Sequence, residues 1–176
     1  QSGETVFARS LRFSPEGTLL AAGFQNGALK IWSLRSPTPP LLTFQLKQPI
    51  ARIAFSPDGR RLAAAASGTG KLALVSLLPR PAAMAFYPPT PAGIRSLVFH
   101  PGGDRILTAC VDRRARVFDA ADGTLLSDAF QHDDQVYEAI YSPRADRIAT
   151  VSKDGSARVW DAETGRLIGQ PMIHES

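Results

Sequence analysis

Four copies of one short pattern, an aromatic residue, then Ser or His, then Pro, constrain this chain more than any other feature. They are Phe13-Ser14-Pro15, Phe55-Ser56-Pro57, Phe99-His100-Pro101 and Tyr141-Ser142-Pro143. The aromatic positions stand 42, 44 and 42 residues apart. Each copy is followed, after an apolar run, by a second mark: Ile31-Trp32-Ser33, Leu74-Val75-Ser76, Val117-Phe118-Asp119 and Val159-Trp160-Asp161. A period of about 40–45 residues denotes supersecondary units that bury their apolar faces on one another instead of building one core each.

The last copy shows what the unit is. Val136 to Tyr141 is a short apolar-rich run stopped by Ser-Pro, which cannot easily continue a ladder. Arg147 to Ser152 is a second run rich in β-branched residues, and Lys153-Asp154-Gly155-Ser156 supplies an Asp-Gly hairpin signal. Ala157 to Trp160 makes a third strand, and Glu163-Thr164-Gly165 turns the chain into a fourth, Arg166 to about Met172. The second strands of the other copies are Leu19 to Gly23, Leu62 to Ala66 and Ile106 to Cys110, and the third are Ala28 to Trp32, Leu72 to Val75 and Ala115 to Phe118. These inner runs are apolar on both faces and rich in alanine, as a sheet pressed between two neighbouring sheets requires. The fourth strands, Leu41 to Leu46, Ala82 to Tyr87 and Thr124 to Phe130, are less regular, as befits an outer edge. No helical period occurs, so the reading is all-β, with four-stranded antiparallel blades.

With His132, Tyr141-Ser142-Pro143, Asp154-Gly155 and Val159-Trp160-Asp161 in one repeat, the chain resembles the WD-repeat β-propellers over essentially its whole length. The resemblance implies a hydrogen-bonded tetrad of His132, Thr150, Asp154 and Trp160. The third repeat keeps Thr108 and Asp112 but has Phe118 for Trp, the first has Trp32 with Asn26 for Asp, and the second keeps neither Asp nor Trp. Those blades are expected to rely on packing, and the fourth to be the most rigid. The repeats are placed at about 5–47, 48–92, 93–131 and 132–173 of one propeller segment spanning 1–176. They run in phase from a first strand near Val6, and His174 resembles the start of another. The expectation is therefore part of a longer propeller, or a half-ring that pairs with a second chain; the alternative is a small four-bladed ring. Endings such as Trp160-Asp161-Ala162-Glu163-Thr164-Gly165-Arg166 also resemble bacterial multidomain WD-repeat proteins.

Chemical motifs are sparse. Ser67-Gly68-Thr69-Gly70-Lys71 suggests a phosphate loop, but Ala65 stands where its first Gly belongs and Leu72 where Ser/Thr would bind magnesium, so it reads as a turn. His132 beside Asp133 and Asp134 lacks a second His or Cys at ligand spacing, so no metal or cofactor is expected. No Gly-x-Ser-x-Gly elbow anchors a nucleophile, and Cys110 on an apolar strand reads as an inert thiol. The proline clusters at Pro37–Pro40, Pro79–Pro81 and Pro88–Pro91 read as rigid rim loops rather than docking motifs. One cysteine among 176 residues allows no internal disulfide and favours a reducing, cytoplasmic setting; no run is long enough to span a membrane. The net charge of +4, scattered along the chain, biases it toward acidic partners.

The resemblance places partner-binding positions four residues before each Phe/Tyr and one before each turn Asp. Here those are Arg9, Ala51, Arg95 and Tyr137, then Gln25, Val111 and Lys153, with Phe7 and Gln135 two residues earlier on their strands. Arginines, a lysine and aromatics have the composition of a recognition surface. The function expected is a non-catalytic protein-interaction scaffold, part of a larger signalling or regulatory protein, binding a protein or acidic peptide and able to self-associate. The alternative is nucleic-acid binding through the basic balance, which is disfavoured. An enzyme using the central channel ranks last.

Overall fold

The computed structural model describes residues 6–78, 82–86 and 93–173, the backbone alone over 82–86. The first sheet holds β1 (Ala8–Phe13), β2 (Leu19–Phe24), β3 (Ala28–Ser33) and β4 (Leu42–Gln45). The second holds β5 (Ile50–Phe55), β6 (Arg61–Ala66), β7 (Leu72–Ser76) and β8 (Ala82–Phe86). The third holds β9 (Ile94–Phe99), β10 (Arg105–Cys110), β11 (Arg114–Asp119) and β12 (Leu125–Gln131), and the fourth β13 (Val136–Tyr141), β14 (Arg147–Ser152), β15 (Ser156–Asp161) and β16 (Met172–Ile173). Strands follow one another within each sheet in sequence order, every neighbouring pair antiparallel, and no helix occurs among the described residues.

Each aromatic-Ser/His-Pro copy ends a first strand for a local reason. In the second sheet the Ser56 hydroxyl accepts from the Arg61 N–H at 2.9 Å and donates to Asp58 at 2.6 Å, and Gly59 turns the chain at φ 65°. The seams between sheets are the core. Along β6, Leu62 and Ala64 face Ile50, Ile53, Leu29 and Ile31 on one side, while Ala63 and Ala65 face Ile94, Leu97 and Phe99 on the other. All five residues from Leu62 to Ala66 are completely buried, which is why this run is apolar without alternation. Small size is required as well: a Cβ at Gly23 would collide with Ile50 across the first seam.

The sheets form an open arrangement, with β1, β5, β9 and β13 side by side in that order. The four-bladed ring is thus not what the chain adopts. The outward faces of the first and last sheets leave Leu11 51%, Phe13 62%, Ile140 48% and Val151 42% exposed. A second correction concerns the last strand, expected from Arg166 to about Met172. Only β16 and an isolated Trp160–Leu167 bridge form there, because Gly169 at φ 75° and Pro171 break the ladder. His174, Tyr87 and the clusters Pro79–Pro81 and Pro88–Pro91 lie outside the described residues. Pro37–Pro40 falls in the connection from β3 to β4.

Candidate functional site

The fourth sheet gathers His132, Thr150, Asp154 and Trp160 into one chain of hydrogen bonds. The indole N–H of Trp160 reaches the Thr150 hydroxyl oxygen at 2.8 Å, Thr150 lies 2.7 Å from His132 Nε2, and His132 Nδ1 lies 2.9 Å from Asp154 Oδ2. The indole can only donate, so Thr150 accepts from Trp160 and still has its own proton and a second lone pair for His132. With a neutral imidazole, Thr150 donates to an unprotonated Nε2 and Nδ1–H donates to Asp154; with an imidazolium, Nε2–H would donate to Thr150 instead. Burial favours the neutral form by pushing the His132 pKa down, against the opposing pull of Asp154. Burial also opposes the charge of Asp154, but donors outweigh it: the Ser156 hydroxyl at 2.7 Å, the N–H groups of Asp133 at 3.0 Å and Ser156 at 2.9 Å, and His132 hold its carboxyl well below the usual carboxylate range.

Both shifts act on stability in one direction. Below about pH 6.5 an unfolded His132 takes up a proton that the folded one refuses, so stability falls with pH through that value toward the folded pKa. Asp154 contributes stability above the ordinary carboxylate range, and this is lost as pH falls through its depressed folded value. Urea midpoints from pH 8 to 5 are expected to drop more steeply for the wild type than for His132→Gln. Parallel curves would show that the imidazole is not held neutral.

The third sheet solves the same problem differently. Arg116, 7% exposed, makes a bidentate pair with Asp112 at 2.6 and 3.0 Å. Burial disfavours the guanidinium charge, but Asp112 more than offsets it and the pKa rises. Arg158 is the counterpart in the fourth sheet, 3.3 Å from Asp154 and 3.0 Å from Asp133. Sequence reasoning missed both arginines. The legible signal was Arg four residues after the turn Asp in each case. Thr108 lies 3.7 Å from Cys110 Sγ, and burial pushes that thiol's pKa up. In the first sheet, Asn26 accepts from the Ala28 N–H at 3.1 Å and Trp32 is half-buried on the outward face.

The expected partner-binding positions are set by a backbone device. In every blade the first strand carries a β-bulge at the same place: two residues of β1, β5, β9 and β13 advance against one on the neighbour between Ala8 and Ser10, Ile50 and Arg52, Ile94 and Ser96, and Val136 and Glu138. The extra residues are Arg9, Ala51, Arg95 and Tyr137. Two residues before each, a carbonyl accepts from the turn between the second and third strands: Phe7 from Gln25 at 2.9 Å, Pro49 from Ser67 at 2.8 Å, Gly93 from Val111 at 2.9 Å and Gln135 from Lys153 at 2.9 Å. Phe7, Arg9, Gln25, Arg95, Val111, Gln135, Tyr137 and Lys153 are thereby carried to one rim. Bulges re-aim side chains out of a ladder.

Some of these side chains meet. Arg95 Nη2 donates to Gln135 Oε1 at 2.9 Å, with its guanidinium 5.6 Å from the centre of the Tyr137 ring. Arg9, Ala51, Arg95 and half-buried Val111 line one groove of about 390 Å³. Lys153 instead lies 3.7 Å from Asp134, while Phe7 is 66% exposed and Gln25 exposed. Among the described residues no group of three or more His, Cys, Asp or Glu could hold a metal ion, and no helix is long and apolar enough to cross a membrane.

Comparison with known proteins gives the architecture a family. The model of the WD domain, G-beta repeat family matches residues 2–33, 85–119 and 123–161. The strands β5 to β7 lie outside these segments, in the blade that lacks both the turn Asp and the Trp. Among solved structures, a chain of the mitotic checkpoint complex superimposes with a TM-score of 0.79 over 95% of this chain and 53% of its own, at 17% identity. The chain thus spans about half the length of that protein, and at this identity the likeness is one of fold. No curated protein sequence matches. The narrower likeness to bacterial multidomain proteins finds no support in these comparisons. By the family match and the four-stranded blades alike, this chain belongs to the WD-repeat family.

Proposed function

We propose that the chain is a non-catalytic protein-interaction scaffold whose binding face is the rim of bulged first strands. The observation that carries this reading is the bulge itself, repeated at Arg9, Ala51, Arg95 and Tyr137 although no one side-chain property is common to all four. A backbone irregularity kept at one level of four divergent sheets presents two arginines, an alanine and a tyrosine to one surface, which suits recognition of a partner. The basic residues of this rim favour an acidic protein segment. The apolar outward faces of the first and last sheets favour association with further blades, from a second copy or a longer chain, in a larger signalling or regulatory assembly. The free, buried thiol of Cys110 suits a cytoplasmic setting.

A pull-down from the native source identifies the partner, and rim variants then test the face. Arg95→Ala and Tyr137→Ala are each expected to weaken binding by about tenfold or more, the usual effect of truncating an Arg or Tyr at an interface centre. If both bind as the wild type does while changes at exposed Leu125 and Leu126 on the outer strand abolish binding, the face is wrongly placed. Light scattering on the chain tests the end faces: a monodisperse monomer would remove self-association.

A further inference from the structure

We propose that the groove spanning the first three blades is a receptor for a phosphate monoester carried on an extended peptide. This rests on the reading that the bulged rim is the partner face, and it names the chemistry recognised there. Three arginines, Arg9, Arg52 and Arg95, line the groove of about 390 Å³, and its lining contains no Asp or Glu. None of the three forms an ion pair among the described residues, whereas Arg114, Arg116 and Arg158 each have a carboxylate within 3.0 Å. The groove therefore concentrates positive charge that no carboxylate among the described residues pairs with.

Two of the arginines are also positioned. Arg52 donates through Nε to the Arg95 carbonyl at 2.7 Å and through Nη1 to the Ala51 carbonyl at 2.8 Å, which uses two of its five N–H groups and fixes its plane against the strands. Arg95 is steadied by Gln135 and Tyr137. Arg9, on the first blade, is exposed. The groove is open because its centre is small. Ala51 occupies the bulge between the two arginine-bearing bulges, and Gly68 faces open space where a Cβ would stand.

A dianion with three acceptor oxygens matches several guanidinium forks, whereas one carboxylate would leave most of the charge unmet. No aromatic residue lines the groove, so it offers a nucleobase no stacking platform. A peptide lying across the strand ends, with one phosphorylated side chain directed inward over Ala51, meets both conditions.

The test uses fluorescent decapeptide libraries, degenerate except for a central phosphoserine, serine or glutamate, titrated by polarisation against the full chain. The phosphoserine library is expected to bind at least tenfold tighter than the serine library, with glutamate between them. Ala51→Leu, which fills the groove from the bulge of the second blade, and Arg9→Glu are each expected to remove that preference while keeping the wild-type urea midpoint. Competition by inorganic phosphate at millimolar concentration supports the anion subsite. Equal binding of the three libraries overturns the proposal, as does a tenfold preference that survives both variants. So does tighter binding of a decathymidylate probe than of any peptide, which would point to nucleic acid. Equal library binding together with partner loss in Tyr137→Ala leaves the rim as the interface and removes only the phosphate. A partner indifferent to Arg95→Ala and Tyr137→Ala removes the rim reading itself.

Discussion

Replacing His132 with alanine is expected to lower the unfolding free energy by about 2–4 kcal/mol, because two buried groups lose their partner at once. Thr150, 1% exposed, would keep the Trp160 indole as donor but have no acceptor for its own hydroxyl proton. Asp154 would lose one of several donors and keep Ser156, the Asp133 N–H and Arg158. The larger share of the cost therefore falls on Thr150 and on the space vacated beside Trp160, not on the carboxylate. Trp160→Phe makes the contrast. It removes the indole donor and the smaller part of the ring system, and Phe118 already stands at the matching position of the third sheet, paired opposite Ile106 as Trp160 is opposite Ile148. Its cost is expected at about 1–2 kcal/mol. Urea unfolding followed by fluorescence in His132→Ala, and by circular dichroism in Trp160→Phe, measures both. Equal costs would mean that the network contributes no more than ring packing does.

How much of this was written in the sequence depends on whether side chains or backbone carry the feature. The blades were legible because each turn has its own chemistry: Ser or His with Pro after the first strand, Asp-Gly or an equivalent after the second. The four tetrad positions were legible because the fourth repeat keeps all four residue types. The Arg116–Asp112 pair was not, since the Trp-to-Phe change at 118 suggested a blade that relies on packing more than on a polar network. The structure instead gives that blade a buried ion pair. The bulges were invisible for a different reason. A bulge is an event of register, and Arg, Ala, Arg and Tyr at the bulged positions share no side-chain property. Only a fixed offset from the aromatic-Ser/His-Pro turn marks them. The shortening of the last outer strand was foreseeable from Gly169 and Pro171, but the apolar residues Leu167 and Ile168 mask it.

The ion pair in the third sheet leads to the largest effect expected of a single substitution. Asp112→Ala leaves Arg116 charged, with its side chain 8% exposed, at the seam between the second and third sheets; stranding such a group costs about 3–5 kcal/mol. Arg116→Leu is expected to cost far less, because Asp112 sits in a turn, 20% exposed, where water can replace its partner. The double change Asp112→Asn with Arg116→Leu is expected to recover most of the loss, since buried ion pairs often do no better than packed apolar side chains. Cys110 gives the measurement a local reporter. It is the one cysteine of the chain, fully buried in the same seam among Leu97, Ile106 and Phe118, so a thiol reagent reaches it when the seam opens. Labelling is expected to accelerate by roughly two to four orders of magnitude in Asp112→Ala, the rate equivalent of about 3–5 kcal/mol under rapid opening and closing. In the double variant it should return toward the wild-type rate. Labelling that stays slow in Asp112→Ala, while the urea midpoint falls, would place the damage elsewhere than this seam.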